Sequence, residues 1–449
     1  MTPLNQPEEI GSKMGDLMAD LYPLCRSITG QGLRDTLRRI QREIPIEIVE
    51  VPTGTQVFDW TVPREWNIRD AYIKNSRGEK IVDFKNHNLH VMSYSVPVRA
   101  QMTLEELKPH LFSLPDNPEW IPYRTSYYKD SWAFCITHNQ LESLPEDTYE
   151  VCIDSSLEAG SLTYGEYVIP GSSDEEVIIT SHCCHPSLCN DNLSGVAVAV
   201  QLATWLRGRE NRYTYRFVFA PVTIGAITWL ATHEDQLDRI KHGLVLTGVG
   251  DPGKPTYKRS RRGEALIDHA AQHVLKHTGR DHDIIDYFPY GYDERQYGSA
   301  GINLPVGCLM RTPHGRYPEY HTSADNLDFV TPEALVDTLG IAVGALEILE
   351  LDGVYVNLSP NCEPQLGKRG LYQGLVGKAV LPGYELALLW VLNQSDGRNS
   401  LLEIAERANM PFRVIRQAAQ ALIDSDLLAP AELHALPAGP RTLTLAVAE

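Results

Sequence analysis

Six side chains able to bind a metal ion or carry a proton fall within ten residues of this chain: His182, Cys183, Cys184, His185, Cys189 and Asp191. Imidazole nitrogen and carboxylate oxygen are ligands that zinc takes in catalytic sites with a position left open for water, so His185 and Asp191 lead as a metal pair. Pro186 restrains the backbone beside His185. A histidine at a strand end serves equally well as a hydrogen-bonded loop residue or as a ligand, and for His182 both readings stand. The cysteines read as packing residues, since Cys183 and Cys184 face opposite ways if the preceding strand continues. A second polar stretch, Tyr290-Gly291-Tyr292-Asp293-Glu294-Arg295-Gln296-Tyr297, offers two carboxylates. Asp293 and Glu294 either attract a cationic substrate amine or form an ordinary loop ion pair with Arg295. The tyrosines around them read as walls.

The elements that must position these groups follow from periodicity. Val177-Ile178-Ile179 is a β-branched run without alternation, the pattern of a strand buried on both faces of a parallel sheet. Asn192-Leu193-Ser194-Gly195 then leads into an apolar helix through Arg207. Strands are expected at Tyr215–Ala220, Gly243–Thr247 and Leu304–Met310, each running into a polar or turn-rich loop. The expected fold class is α/β, a doubly wound mixed sheet whose ligand-type residues sit at strand ends, where such folds bind their substrates. Residues 57–145, rich in Trp, Tyr and Pro with short β-like runs, read as a β-rich insert. The α/β domain is therefore expected over 1–56 and 146–356, closed by a helix from Thr331-Pro332 to near Leu351. Residues 375–449 read as a winged-helix-like domain, with helices over 384–392, 400–408 and 412–423 and a β-like end over 442–446.

Composition excludes several function classes. With 449 residues and a formal net charge of −18, the chain suits two or three domains and lacks the basic surface that nucleic acid requires. The tail's Arg413 and Arg416 lie beside Asp424 and Asp426, so that domain is expected to hold a protein partner or a second copy rather than DNA. The basic run Lys258-Arg259-Ser260-Arg261-Arg262 is assigned to a solvated loop in preference to a carboxylate-binding site. The eight cysteines are irregularly spaced. With no apolar run near the ~20 residues of a membrane helix and no secretory pattern at the start, a cytoplasmic protein is expected, with no membrane contact.

Four segments carry a family resemblance: FDWTVPREWNIRDAYI (58–73), CHPSLCNDNLSG (184–195), YGYDERQYGSAG (290–301) and RTPHGRYPEYHTSADNLDF (311–329). With them the chain resembles the aminopeptidase-like zinc peptidases, of the bacterial leucine aminopeptidase type, in a form with a β-rich insert and a C-terminal winged helix. The resemblance implies metal ligands at His185, Asp191 and His321, with Asp251 after a later strand, and leaves His182 a rival for the first position. It also implies a general-base glutamate just after Pro221, where this chain has Val222, and a second ligand glutamate where it has Thr223. Valine cannot move a proton. Either Glu294 or Asp293 takes that role, or the cleft has lost hydrolysis and serves as a silent binding or scaffold site. The missing second carboxylate favours one zinc ion. The expected activity is metal-assisted cleavage of an aminoacyl or peptide amide in a small substrate.

Overall fold

The computed structural model describes residues 6–372 and 382–431. The β-like end expected over 442–446 lies outside them. The chain divides into two compact units, one of residues 1–269 and 281–343 and one of residues 270–280 and 344–449.

The first unit is built on an eight-stranded mixed sheet. In chain order its strands are β1 (Glu47–Pro52), β2 (Ser161–Ile169), β3 (Glu176–His182), β4 (Thr214–Ala220), β5 (Ile240–Leu246), β6 (Thr256–Lys258), β7 (Asp283–Ile285) and β8 (Val306–Met310). Across the sheet they run β1-β2-β4-β3-β5-β8-β6-β7. The four central strands β4, β3, β5 and β8 are parallel, and antiparallel neighbours flank them on both sides. Every residue of β3 is buried, as its unbroken β-branched run implies. Its first residue, Glu176, is neutralised by a bidentate pair with Arg216 at 2.6 and 2.9 Å. Its last, His182, stands in register with Ala220 of β4, so one end of the strand is tied down by charge and the other opens into a crevice.

The helix Gly195–Arg207 packs beside β3 with residues 195–200, Leu202, Ala203 and Leu206 buried. Glycine is required at its start, because a Cβ on Gly195 would collide with the carbonyl oxygen of Leu246. The sharp turn Cys189–Ser194 that precedes it carries the ligand-type residues.

The β-rich insert is a four-stranded antiparallel sheet in the order Lys80–Asp83, Glu65–Lys74, Thr148–Glu158, Val98–Thr103. Thr148–Glu158, assigned from the sequence to the α/β domain, is a central strand of this second sheet. A one-dimensional pattern names a strand but not the sheet it joins. The insert also shares a small apolar cluster with the crevice: Leu89, Ile121, Tyr123 and Cys135 pack with Leu188, just before the ligand-bearing turn.

In the second unit Val354–Asn357 is the middle strand of a three-stranded sheet, between Asp396–Ser400 and Leu428–Pro430. The sequence reading closed the α/β domain at 356 and so cut this strand from the tail to which it belongs. Helices Tyr384–Gln394, Leu401–Ala408 and Phe412–Ile423 complete the unit. Ser400 and Glu403 form a reciprocal cap at the start of the second of these. A cleft of about 660 Å³, lined by Trp390, Leu386, Leu389, Pro360 and Glu363 among others, opens in this unit and holds none of the ligand-type residues named above. Among the described residues no helix is long and apolar enough to cross a membrane.

Candidate metal centre

His182 ends β3, and His185 and Asp191 follow on the loop and turn that join it to the buried helix. His182 Nε2 lies 2.8 Å from Asp191 Oδ1, and His321 Nε2 lies 3.0 Å from Asp191 Oδ2. His185 Nε2 is 4.0 Å from the same Oδ2. Ligand atoms of His182, His185 and Asp191 all fall within 4.8 Å of one another. The structure thus brings both rival histidines, His182 and His185, to one carboxylate together with His321. The side chains of His182, His185 and Asp191 are at most 8% exposed, whereas that of His321 is 34% exposed, so the cluster opens to solvent on the His321 side.

Electrostatics prepare these groups as ligands. Burial drives the His185 imidazole down to about 3, leaving it neutral with a lone pair at neutral pH. Asp191 is fully desolvated, yet the surrounding imidazoles outweigh that cost and hold its carboxyl well below the usual range.

The turn bearing Asp191 is held by a residue the sequence reading did not single out. Asp325 accepts backbone N–H bonds from Cys189 at 3.2 Å, Asn190 at 2.5 Å and Asp191 at 2.9 Å. Buried polar groups that receive several N–H donors fix a loop in one conformation. Asn192 adds to this by donating to Ser181 Oγ and Leu246 O and accepting from the Gly248 N–H. Asp325 follows His321 by four residues within the His-Thr-Ser-Ala-Asp stretch already quoted, which was the available signal.

Asp251 stands outside the cluster. Its oxygens receive the Gly253 N–H at 2.8 Å, the Thr312 hydroxyl at 2.6 Å, the Thr312 N–H at 3.2 Å and the Asn190 side chain at 3.1 Å. Those donors fix the loop after β5 and leave Asp251 engaged in structural hydrogen bonding.

The insert forms one wall of the centre. Tyr123 donates its backbone N–H to His321 O at 2.8 Å, and Ser323 and Ile121 exchange two further bonds. His321 has a positive φ of 59°, a conformation that a non-glycine residue holds only when its surroundings impose it. The Tyr123 ring packs edge-on against both His185 and His321, at centroid distances of 5.0 and 5.1 Å. Tyr292 stacks on His182 at 5.4 Å, and Tyr320 stacks on His321 at 3.9 Å. Of the three tyrosines read as walls, only Tyr292 lines the centre, where Tyr123 of the insert and Tyr320 join it; Tyr290 is 64% exposed beside His314, and Tyr297 is buried against Trp229.

The neighbours Asp293 and Glu294 differ. Glu294 Oε1 is paired with the buried Lys258 Nζ at 2.8 Å, and not with Arg295. A Cβ on Gly291 would meet both partners, so the glycine is what lets them approach. Lys258 also donates to Tyr290 O and sits 3.8 Å over the Phe288 ring. The first member of the supposedly solvated basic run is therefore internal; Arg259 is half-buried and bonded to Asp286, while Arg261 and Arg262 are exposed and bonded to Asn303. Asp293, 2% exposed, keeps Oδ1 without a hydrogen-bond partner, and burial pushes its carboxyl up to about 7 against the lowering field of His182.

Val222 is half-buried against the apolar cluster that includes Ile224, Trp229 and Cys184. The Cys184 thiol lies 3.6 Å from His185 Nδ1 and, like that of Cys183, is buried and pushed upward by desolvation, which suits packing rather than thiolate chemistry.

Comparison with known proteins agrees with this architecture. A Clostridium acetobutylicum protein provisionally named a polysaccharide biosynthesis protein with an aminopeptidase-like domain is 53% identical over 425 residues, 95% of this chain and 98% of its own. A crystal structure of a provisionally named peptidase from Clostridium acetobutylicum, 52% identical, superposes with a TM-score of 0.90 over 94% of this chain and 97% of that one. A zinc aminopeptidase from Bacillus subtilis, only 13% identical, shares the fold with a TM-score of 0.56 over 76% of this chain and 94% of that one. Residues 353–430 match the winged helix-turn-helix family. Through its match over residues 15–352, the chain belongs to the family described as the domain of unknown function DUF4910, here an aminopeptidase-like α/β fold followed by a winged helix-turn-helix.

Proposed function

We propose that this protein is a zinc-dependent amide hydrolase of aminopeptidase type, acting on a small aminoacyl or peptide-like substrate. The observation that carries this is the convergence of three imidazole Nε2 atoms on the Asp191 carboxylate at the open edge of the sheet. The donor set fits the ion: neutral imidazole nitrogens and an ionised carboxylate are zinc's usual protein ligands, and one side of the cluster remains accessible. His182, His185, Asp191 and His321 would hold a single zinc, which when bound polarises the scissile carbonyl and acidifies water.

The remaining work falls to the chain. Tyr123, Tyr292 and Tyr320 exclude bulk water and confine the substrate. Asp293 Oδ1 takes a proton from the attacking water and returns it to the leaving amine. Its lifted pKa suits this exchange near neutrality, where both protonation states are populated. Glu294, bound to Lys258, holds the loop in place. A second reading, a cleft that binds without cutting, is favoured by Val222, which cannot serve as a base. Zinc analysis with aminoacyl-amide hydrolysis assays on the wild type and His321→Ala separates them. Stoichiometric zinc and turnover, both lost in the variant, support the hydrolase; a wild type that binds zinc without turnover supports the silent cleft.

A further inference from the structure

We propose that Phe58, Trp60 and Tyr128 form a platform for a sugar ring carried by the substrate, a subsite that rests on the hydrolase reading above and names its substrate class. These side chains are 45%, 43% and 60% exposed; Phe58 and Trp60 share one hairpin, and Tyr128 is in ring contact with Trp60. Trp60 and Tyr128 lie with ring centroids 5.3 Å apart and planes tilted by 58°, an angled aromatic shelf.

The shelf is continuous with the metal centre. Tyr128 contacts Tyr127 at 6.3 Å, the Tyr127 hydroxyl is 2.5 Å from that of Tyr123, and the Tyr123 ring touches His185 and His321. From a second direction, the hairpin bearing Trp60 packs through Val57 into the same apolar cluster as Ile224, on the helix that begins directly after Val222-Thr223. Both routes tie the aromatic surface to residues packed beside the crevice.

Size and polarity select the occupant. Three side chains present far less area than the ~800 Å² per partner of a stable protein interface, so the shelf suits one or two rings of a small ligand. Its edge carries donors and acceptors together: the exposed Arg64–Asp130 pair at 2.6 Å, and Gln56 with the Thr61 hydroxyl. A pyranose matches both features, with an apolar C–H face for the aromatic rings and hydroxyls that need donors and acceptors at the rim. An aromatic peptide side chain would use the rings and leave the charged rim unused.

The test is direct binding by titration calorimetry of the full chain loaded with zinc. The probes are the tetrasaccharides of glucose, mannose, galactose and N-acetylglucosamine, with phenylalanyl-phenylalaninamide for comparison. At least one oligosaccharide is expected to bind, to perturb tryptophan fluorescence, and to lose about ten-fold or more in affinity in Trp60→Ala and in Tyr128→Ala. Unchanged Tm and zinc content in both variants show that the fold persists. Failure of every oligosaccharide to bind overturns the proposal, as does binding indifferent to both substitutions, capture of the dipeptide alone, or self-association through the shelf. Oligosaccharide binding that depends on Trp60, in a protein that hydrolyses no amide, upholds the platform and removes the hydrolase reading. Amide hydrolysis with no saccharide bound does the reverse.

Discussion

Two adjacent parallel strands end side by side in this molecule and end differently. β3 finishes in His182 and passes into His185 and Asp191, all drawn to one point. β4, whose Ala220 is in register with His182, finishes in Pro221, Val222 and Thr223, and its valine packs against an apolar cluster. One strand end gathers two imidazoles and a carboxylate at a single point, while its neighbour offers no carboxylate or imidazole at all. The difference teaches that ligand-type and proton-carrying side chains need not share a strand end, so that, on the proposed reading, holding a metal and carrying a proton are separable. On the hydrolase reading proposed above, the second task falls to Asp293, where an unpartnered oxygen and a pKa lifted to about 7 are found together.

The comparison breaks most severely at the first strand end. Asp191→Ala should abolish stoichiometric zinc and lower the hydrolysis rate by ~10³-fold or more, since the carboxylate on which three imidazoles converge is gone; zinc analysis and steady-state kinetics measure both. Asp293→Asn should leave zinc in place and reduce kcat by ~10²–10⁴-fold, the usual worth of a positioned acid–base group. In the wild type the kcat profile should bend near pH 7, and that bend should vanish in the variant. The same residue makes a prediction about stability. Asp293 is raised from 3.8 to about 7, so the folded protein binds the extra proton. Its contribution is full below pH ~4 and is lost as the pH rises through about 7. Urea unfolding of the metal-free protein should show this slope, and Asp293→Asn should flatten it.

Smaller effects sharpen the contrast. Asp325→Asn should weaken zinc binding by ~10–100-fold in competition with a chelator, because it loosens the turn that aims Asp191 without removing a ligand. Val222→Glu should cost about 1–3 kcal/mol in chemical denaturation by placing a carboxyl against the apolar cluster, with little gain in rate while Asp293 is present. A large gain would return the proton carrier to β4. Tyr123→Phe, which removes one hydroxyl–hydroxyl bond and leaves the ring in place, should cost only about 0.5–1.5 kcal/mol.

Much of the centre was legible because it is local. The run Val177-Ile178-Ile179, the ligand-type residues directly after it and the buried helix beginning at Gly195 lie within one short segment, and strand-end logic needs nothing further. The aminopeptidase-like fold and the winged helix were likewise carried by segments that keep their pattern. What depended on partners distant in the chain was not legible. Thr148–Glu158 and Val354–Asn357 alternate like any strand, and only pairing with Glu65–Lys74 and Asp396–Ser400 shows which sheet each joins. Lys258 sits among arginines and carries no mark of burial until Glu294 and Phe288 are seen to enclose it. Tyr123 lies in a segment read as a separate insert, and its hold on His321 spans nearly two hundred residues. Asp325 looks like one more acidic loop residue until three backbone N–H groups are found pointing at it.

The measurement that bears most directly on this account is anomalous diffraction at the zinc edge from crystals of the full chain grown with zinc. The account predicts one peak per chain, bonded by Asp191 and the imidazoles that converge on it. A peak elsewhere, two peaks in the crevice, or none with the four side chains still in place would contradict it.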